Sequence, residues 1–388
     1  MFAFQRGESG MTKNRLMYID NIRLLVITLA VLMHIAVTYS GLGRWVYNEP
    51  GQVGIIQTVI FGFYQAFTQG FAMGIMFMIA GYFIPESYDS KGFSRFLKDR
   101  FFRLGVPTLI FMLIVGPITN GLVLVHGNYE ASILETYAEY IIGFHFIGGS
   151  GPLWFAFALL IFSLIYALIR KFICPKGKVS NKDIPSFPKI LLLIILMGVC
   201  TFLVRIVQPV GTDVFNMQLC HFSQYIIMFV IGLKCKRNNW LDKLDHAIGK
   251  LWFVYGLSIG FVTFLGVLIL GGALDGDLSP FDGGVTWQSA AYSIWESFVA
   301  VSMSIGLVAV FKRKLNKQKR LPQAMSANAF AVYAFHAPII VALTLLFAPV
   351  TLLPIVKFII VAIVGVPICF LFTNFTIQKI PLLRRLYA

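Results

Sequence analysis

The chain has 388 residues, 58% of them hydrophobic and 13% charged, with a mean hydropathy of +0.79 and a formal net charge of +15. Soluble domains carry nearer a quarter of charged residues, so this composition excludes an ordinary soluble fold and indicates a polytopic membrane protein. The 32 basic residues are spread over short loops rather than gathered on one folded basic domain, which excludes nucleic acid as an expected partner.

Apolar runs long enough to cross about 30 Å of hydrocarbon predict an all-α bundle of about ten transmembrane helices. They fall near residues 20–42, 61–84, 104–125, 153–170, 189–208, 218–234, 250–271, 289–311, 327–348 and 354–375. The whole chain, 1–388, reads as one transmembrane domain, with a short N-terminal segment 1–18 and a C-terminal tail 376–388. No internal repeat is evident. The N-terminal segment is polar and basic, so the first span is expected to act as the insertion signal without cleavage.

Charge sets the orientation. Lys91, Arg95, Lys98, Arg100 and Arg103 crowd the second connection, and further clusters fill the fourth, sixth and eighth. Of the 32 basic residues only Arg44 lies in an odd-numbered connection, where Glu49, Glu130, Glu135, Glu139, Asp213, Asp275, Asp277 and Asp282 are found. By the positive-inside rule the even connections and both termini are cytosolic.

In the first span, ten residues separate Arg23 from His34. That step puts both side chains on one helix face, about 16 Å apart along the axis, one near the cytosolic mouth and one deep in the span. Ionisable residues inside a membrane helix are costly and therefore functional candidates; a snorkelling Arg and a hydrogen-bonded interior His form the competing reading. In the second connection, Arg100 and Arg103 are one helical turn apart, a spacing at which two planar guanidinium forks suit phosphate oxygens. The alternative is a topology signal contacting lipid head groups. Residues 131–147 alternate apolar side chains with Glu135 and Glu139 at helical spacing and predict a short helix on the outer interface. The sixth span is short and holds His221, Ser223 and Gln224, so it must tilt or bury its polar end in protein. Residues 271–288 are Gly- and Asp-rich and read as a flexible outer loop. The five cysteines offer neither a disulfide framework nor zinc spacing.

Four segments carry a family resemblance. They are YIDNIRLLVITLAVLMH from Tyr18, FMIAGYFIPESYDSKGFSRFLKDRFFRLGVP from Phe77, GPLWFAFALL opening the fourth span, and ANAFAVYAFHAPIIVAL with its Tyr333-x-x-His336. In this order they resemble the acyltransferase 3 family of bacterial integral-membrane O-acyltransferases, over residues 18 to about 345. Ala80 departs from the pattern, since many relatives carry Ser before the Gly-Tyr/Phe pair.

The resemblance implies transfer of an acetyl or similar short acyl group from cytosolic acyl-coenzyme A to a hydroxyl of a cell-surface or envelope glycan, in a bacterial inner or plasma membrane. Arg23, Arg100 and Arg103 would hold the donor's phosphates. His34 would act as general base, or carry an acyl-imidazole. Asp20, one turn before Arg23, would orient it or cap the helix. His336 would orient the acceptor or support His34, unless its hydrogen bond is purely structural. Trp154 reads first as an interfacial anchor and second as a platform for sugar. Arg205 and Glu296 sit at similar depth and are expected to pair, with substrate contact as the alternative. Lys357 is expected to snorkel outward. No permanently bound cofactor and no metal are expected; the partners are acyl-coenzyme A, the glycan and membrane lipids. Two rival classes remain: a secondary transporter or flippase using the buried charges as a relay, and a non-catalytic scaffold that tolerates His34→Ala.

Overall fold

The computed structural model describes residues 15–51, 53–127, 132–174 and 180–387. Apart from one isolated bridge between Val214 and Met217, the regular structure of these residues is helical. In chain order the helices are α1 (Met17–Ser40), α2 (Ile55–Arg100), α3 (Val106–Ile110), α4 (Gly116–His126), α5 (Ile133–Ile142), α6 (Trp154–Phe172) and α7 (Phe187–Val207). They continue as α8 (Phe222–Asn238), α9 (Trp240–Lys243), α10 (His246–Leu270), α11 (Ser279–Asp282), α12 (Trp287–Lys314), α13 (Arg320–Phe347), α14 (Pro354–Phe372) and α15 (Pro381–Tyr387).

Among the described residues, eight helical stretches are long and apolar enough to cross a membrane, fewer than the ten expected. Two local features account for the difference. One stretch of 72 residues, Ile55–His126, contains both the second and third predicted spans. It bends at Gly92, whose φ of 71° lies in the left-handed region that glycine reaches without steric cost. The bend brings Lys91 Nζ to 2.9 Å from Asp99 Oδ2, groups that a straight helix would hold about 12 Å apart. The second feature is α8, only 17 residues long and polar at its outer end, as the sequence of the sixth span required.

Small residues let the helices approach closely. α2 and α8 cross at Gly81 and Gly232, where a methyl group at Gly232 would meet the Met78 carbonyl oxygen at 2.0 Å and one at Gly81 the Phe229 oxygen at 2.2 Å. Lipid tails give no hydrophobic drive between helices, so such backbone contact is a main source of association. α10 lays Gly249, Gly256 and Gly260 against Ala309, Ser302 and Val299 of α12 in the same way.

Between α2 and α4 the chain passes through π-helical turns at Phe101–Gly105 and Phe111–Val115. The carbonyls of Met112 and Leu113 accept hydrogen bonds from the hydroxyls of Tyr140 and Tyr137, both at 2.9 Å. These bonds fasten α5, the expected interfacial helix, whose Ile133, Leu134 and Ile142 are exposed. Residues 128–131, with Glu130, lie outside the described residues, as do 1–14 of the N-terminal segment. The outer loop 271–288 is more ordered than its composition suggested: Phe281 is buried and the Asp282 carbonyl accepts from Val210 N at 2.8 Å. The C-terminal tail is likewise packed, with Leu386 and Tyr387 buried.

Candidate functional site

α1 and α13 bring two histidines from opposite ends of the sequence into contact. His34 Nδ1 lies 2.8 Å from His336 Nε2, and the imidazoles stack with centroids 4.9 Å apart. His336 Nδ1 faces the Tyr333 carbonyl at 2.9 Å and the Val332 carbonyl at 3.2 Å. A carbonyl only accepts, so His336 Nδ1 carries the proton and its Nε2 is the acceptor in the neutral ring. His34 must then donate from Nδ1, which leaves the lone pair on His34 Nε2. The pair is held firmly: Tyr333 donates its hydroxyl to the Pro152 carbonyl, joining the motif at the start of α6 to that in α13.

A residue that the sequence reading passed over closes this site. Trp45, in the loop after α1, stacks on His34 at 3.8 Å between centroids with 17° between planes. A lone Trp in a polar outer loop carries no periodicity, so only the folded loop reveals it.

At the basic end, Asp20 accepts from Arg23 at 3.1 Å and from Arg15 at 2.6 Å, and the Arg23 guanidinium lies over the Phe83 ring at 5.1 Å. Asp20 therefore orients Arg23 and does not cap the helix, whose N-cap is Leu16 without a side-chain bond. Arg100 and Arg103, which the sequence placed one helical turn apart, have different surroundings. The π-helical turn begins directly after Arg100 and changes the angular step. Arg103 Nε is bound to Asp99 at 3.2 Å. Arg100 is 1% exposed and lies over the Phe96 ring at 4.9 Å, and none of its three guanidinium nitrogens has a hydrogen-bond partner.

Arg205 and Glu296 form the expected ion pair, fully buried between α7 and α12. His221, which the sequence reading noted only as a polar interruption, completes it: its Nδ1 lies 2.8 Å from Glu296 Oε1. Arg205 also reaches Ser293 at 3.2 Å. Trp154, half-buried at the start of α6, stacks on Tyr225 at 5.6 Å, and Tyr225 Oη accepts from Gln69 at 2.9 Å. Lys357 does not snorkel: it is 3% exposed and pairs with Glu49 at 2.7 Å. Among the described residues no group of three or more His, Cys, Asp or Glu is placed to hold a metal ion.

The model of a family described as an acyltransferase domain matches residues 16–374, nearly the whole chain. No curated protein and no solved structure matched the chain.

Proposed function

The chain belongs to the acyltransferase 3 family and is a multi-pass membrane acyltransferase, and we propose that it moves a short acyl group from acyl-coenzyme A to a carbohydrate hydroxyl with His34 as general base. One observation carries the base assignment: the Tyr333 carbonyl, His336 and His34 form a hydrogen-bonded line that ends on an unprotonated ring nitrogen. In this mechanism His34 Nε2 takes the proton of the acceptor hydroxyl as its oxygen attacks the thioester carbonyl. The carbon–sulfur bond then breaks, and the leaving thiolate takes that proton from the imidazolium. His336 is a positioning residue, holding the tautomer and the ring plane.

The donor's phosphates are proposed to bind at the basic end, which the positive-inside rule makes cytosolic. A buried guanidinium without a hydrogen-bond partner is costly, so Arg100 is suited to receive an anion, and Arg23 and Arg103 are proposed to share in holding the phosphates. The acceptor is proposed to be an envelope glycan entering from the opposite face of a bacterial inner or plasma membrane, since His34 lies two turns from the outer end of α1.

The test is His34→Ala in the purified protein. Turnover of acyl-coenzyme A should fall by about 10² to 10⁴, with membrane insertion and melting temperature close to those of the parent. Undiminished turnover by the folded variant would remove His34 from the chemistry. Sealed right-side-out vesicles loaded with acyl-coenzyme A should acylate an impermeant glycan outside; transfer that requires both reactants inside would remove the transmembrane route.

A further inference from the structure

The loop after α1 is built as a strap across the outer end of that helix. α1 ends at Gly41 with φ of 68°, and Gly43 has φ of 81°, so the chain reverses at once and runs back over the helix end. The reversal is held at several points. Asn48 Oδ1 accepts from Trp45 N at 3.0 Å, and Asn48 Nδ2 donates to the Val37 carbonyl at 3.2 Å. Glu49 N donates to the Thr38 carbonyl at 2.9 Å, and the Glu49 carboxylate reaches across to Lys357 of α14. On the other side Arg44 donates to the Gly211 carbonyl at 2.8 Å. The result is a fixed roof that presents the Trp45 ring to His34.

Around that roof three buried polar atoms have no hydrogen-bond partner: Trp45 Nε1, Glu49 Oε2 and the Tyr39 hydroxyl. Tyr39 lies in the last turn of α1, and Glu49 is within electrostatic reach of it. Buried polar groups in a folded protein are nearly always paired, and three orphans on one short segment, one of them on the ring that stacks on His34, form a distinct pattern. Their chemistry is mixed. An indole N–H only donates, a carboxylate oxygen only accepts, and a phenol does both. An anion would suit the first and be repelled by the second, and an apolar chain would satisfy none. A ring bearing several hydroxyls satisfies all three, because each hydroxyl both donates and accepts, while its C–H face packs on an aromatic plane.

We propose that the strap 41–51 with Tyr39 is the acceptor subsite: Trp45, Glu49 and Tyr39 bind a neutral, hydroxyl-rich sugar ring and bring one of its hydroxyls to His34 Nε2. Lys357 is a positioning residue, fixing the Glu49 carboxylate so that one oxygen stays free for the sugar. The inference rests on the acyl-transfer reading for its catalytic meaning, but binding at the strap is measurable without it.

The experiment uses the full chain in detergent, without acyl-coenzyme A, titrated with a panel of soluble oligosaccharides built from hexose, N-acetylhexosamine and hexuronate units. Amide hydrogen exchange across residues 41–51 is the readout. At least one neutral member of the panel should protect this segment. Its apparent affinity should fall at least tenfold in Trp45→Ala and several-fold in Glu49→Gln and Trp45→Phe, the last keeping the ring and losing the N–H. Acyl-coenzyme A affinity should stay within twofold in all three. Protection by no member of the panel, or equal affinity in Trp45→Ala and Glu49→Gln, overturns the subsite. Protection of the strap in a protein that transfers no acyl group supports the subsite and removes the acyl-transfer reading, so the two failures are distinct.

Discussion

Two histidines within the helix bundle of this protein, His221 buried and His34 half-buried, sit in opposite electrical surroundings. His221 is enclosed with Glu296 and Arg205 in a region sealed from solvent, where opposite charges face one another although Arg205 Nε has no hydrogen-bond partner. His34 is joined only to another neutral ring, and its line of hydrogen bonds leaves one nitrogen unused. A charge cluster in low dielectric carries its own counter-charge, and its attraction is largely consumed in offsetting desolvation. A neutral relay ending on a lone pair is open to a ligand. The difference teaches that burial of an ionisable group does not by itself mark chemistry: a cluster that carries its own counter-charge is unlike a neutral relay that ends on a lone pair.

The largest expected effect comes from breaking the closed network. Glu296→Ala leaves Arg205 and His221 without their counter-charge, and loss of one member of such a buried pair costs about 3–5 kcal/mol. Thermal unfolding in detergent should show a clear fall in melting temperature, against little change for His34→Ala. A Glu296→Ala protein as stable as the parent would mean that the cluster is not structural, and the contrast between the two histidines would collapse.

Next in size is the open network. His336→Ala removes the acceptor that fixes the His34 tautomer and ring plane, and misplacement of a reacting group by about 1 Å costs about 10² in rate. The fall should lie in kcat, with acyl-coenzyme A affinity unchanged, and His336→Gln should recover part of it because an amide oxygen can accept from His34 Nδ1. Equal loss in both variants would make His336 a packing residue only.

The smallest effect extends the comparison to the basic end. Arg100, like His34, has unused hydrogen-bonding capacity, and Arg100 is buried, whereas Arg103 is already bound to Asp99. Arg100→Gln should weaken acyl-coenzyme A binding about tenfold, within the range for one hydrogen bond to a charged group, and Arg103→Gln should weaken it less. The reverse order, read by equilibrium binding, would place the donor's phosphates on Arg103.

Much of the fold was legible because the bilayer imposes length and polarity on each span. The run around His34 had to be a helix, and the basic loops had to share one face. Where the reading differed, the cause was local. Gly92 permits a bend inside what otherwise continues as helix, and α8, too short and polar to count as a span, packs on α2 through Gly81 and Gly232. At the site, Arg23, His34 and His336 stood out as ionisable groups in apolar helices, and Arg205 and Glu296 by matching depth. Trp45 and Glu49 did not, because polar loops carry no period from which a side chain's direction follows.

By itself the sequence determined the solvent, the helical class and the family, since each depends on composition or on order along the chain. Tertiary structure alone decided which groups are finished and which are open. His34 and His336 lie 302 positions apart, and no rule of spacing predicts that their ring nitrogens meet at 2.8 Å. Nor does spacing show that Lys357 turns inward to Glu49, that Arg100 and Arg103 part company at a π-helical turn, or that His221 completes the Arg205–Glu296 pair. Hydrogen bonding is directional and short-ranged, so whether a polar group is satisfied depends on atoms that only folding brings within about 3 Å of it.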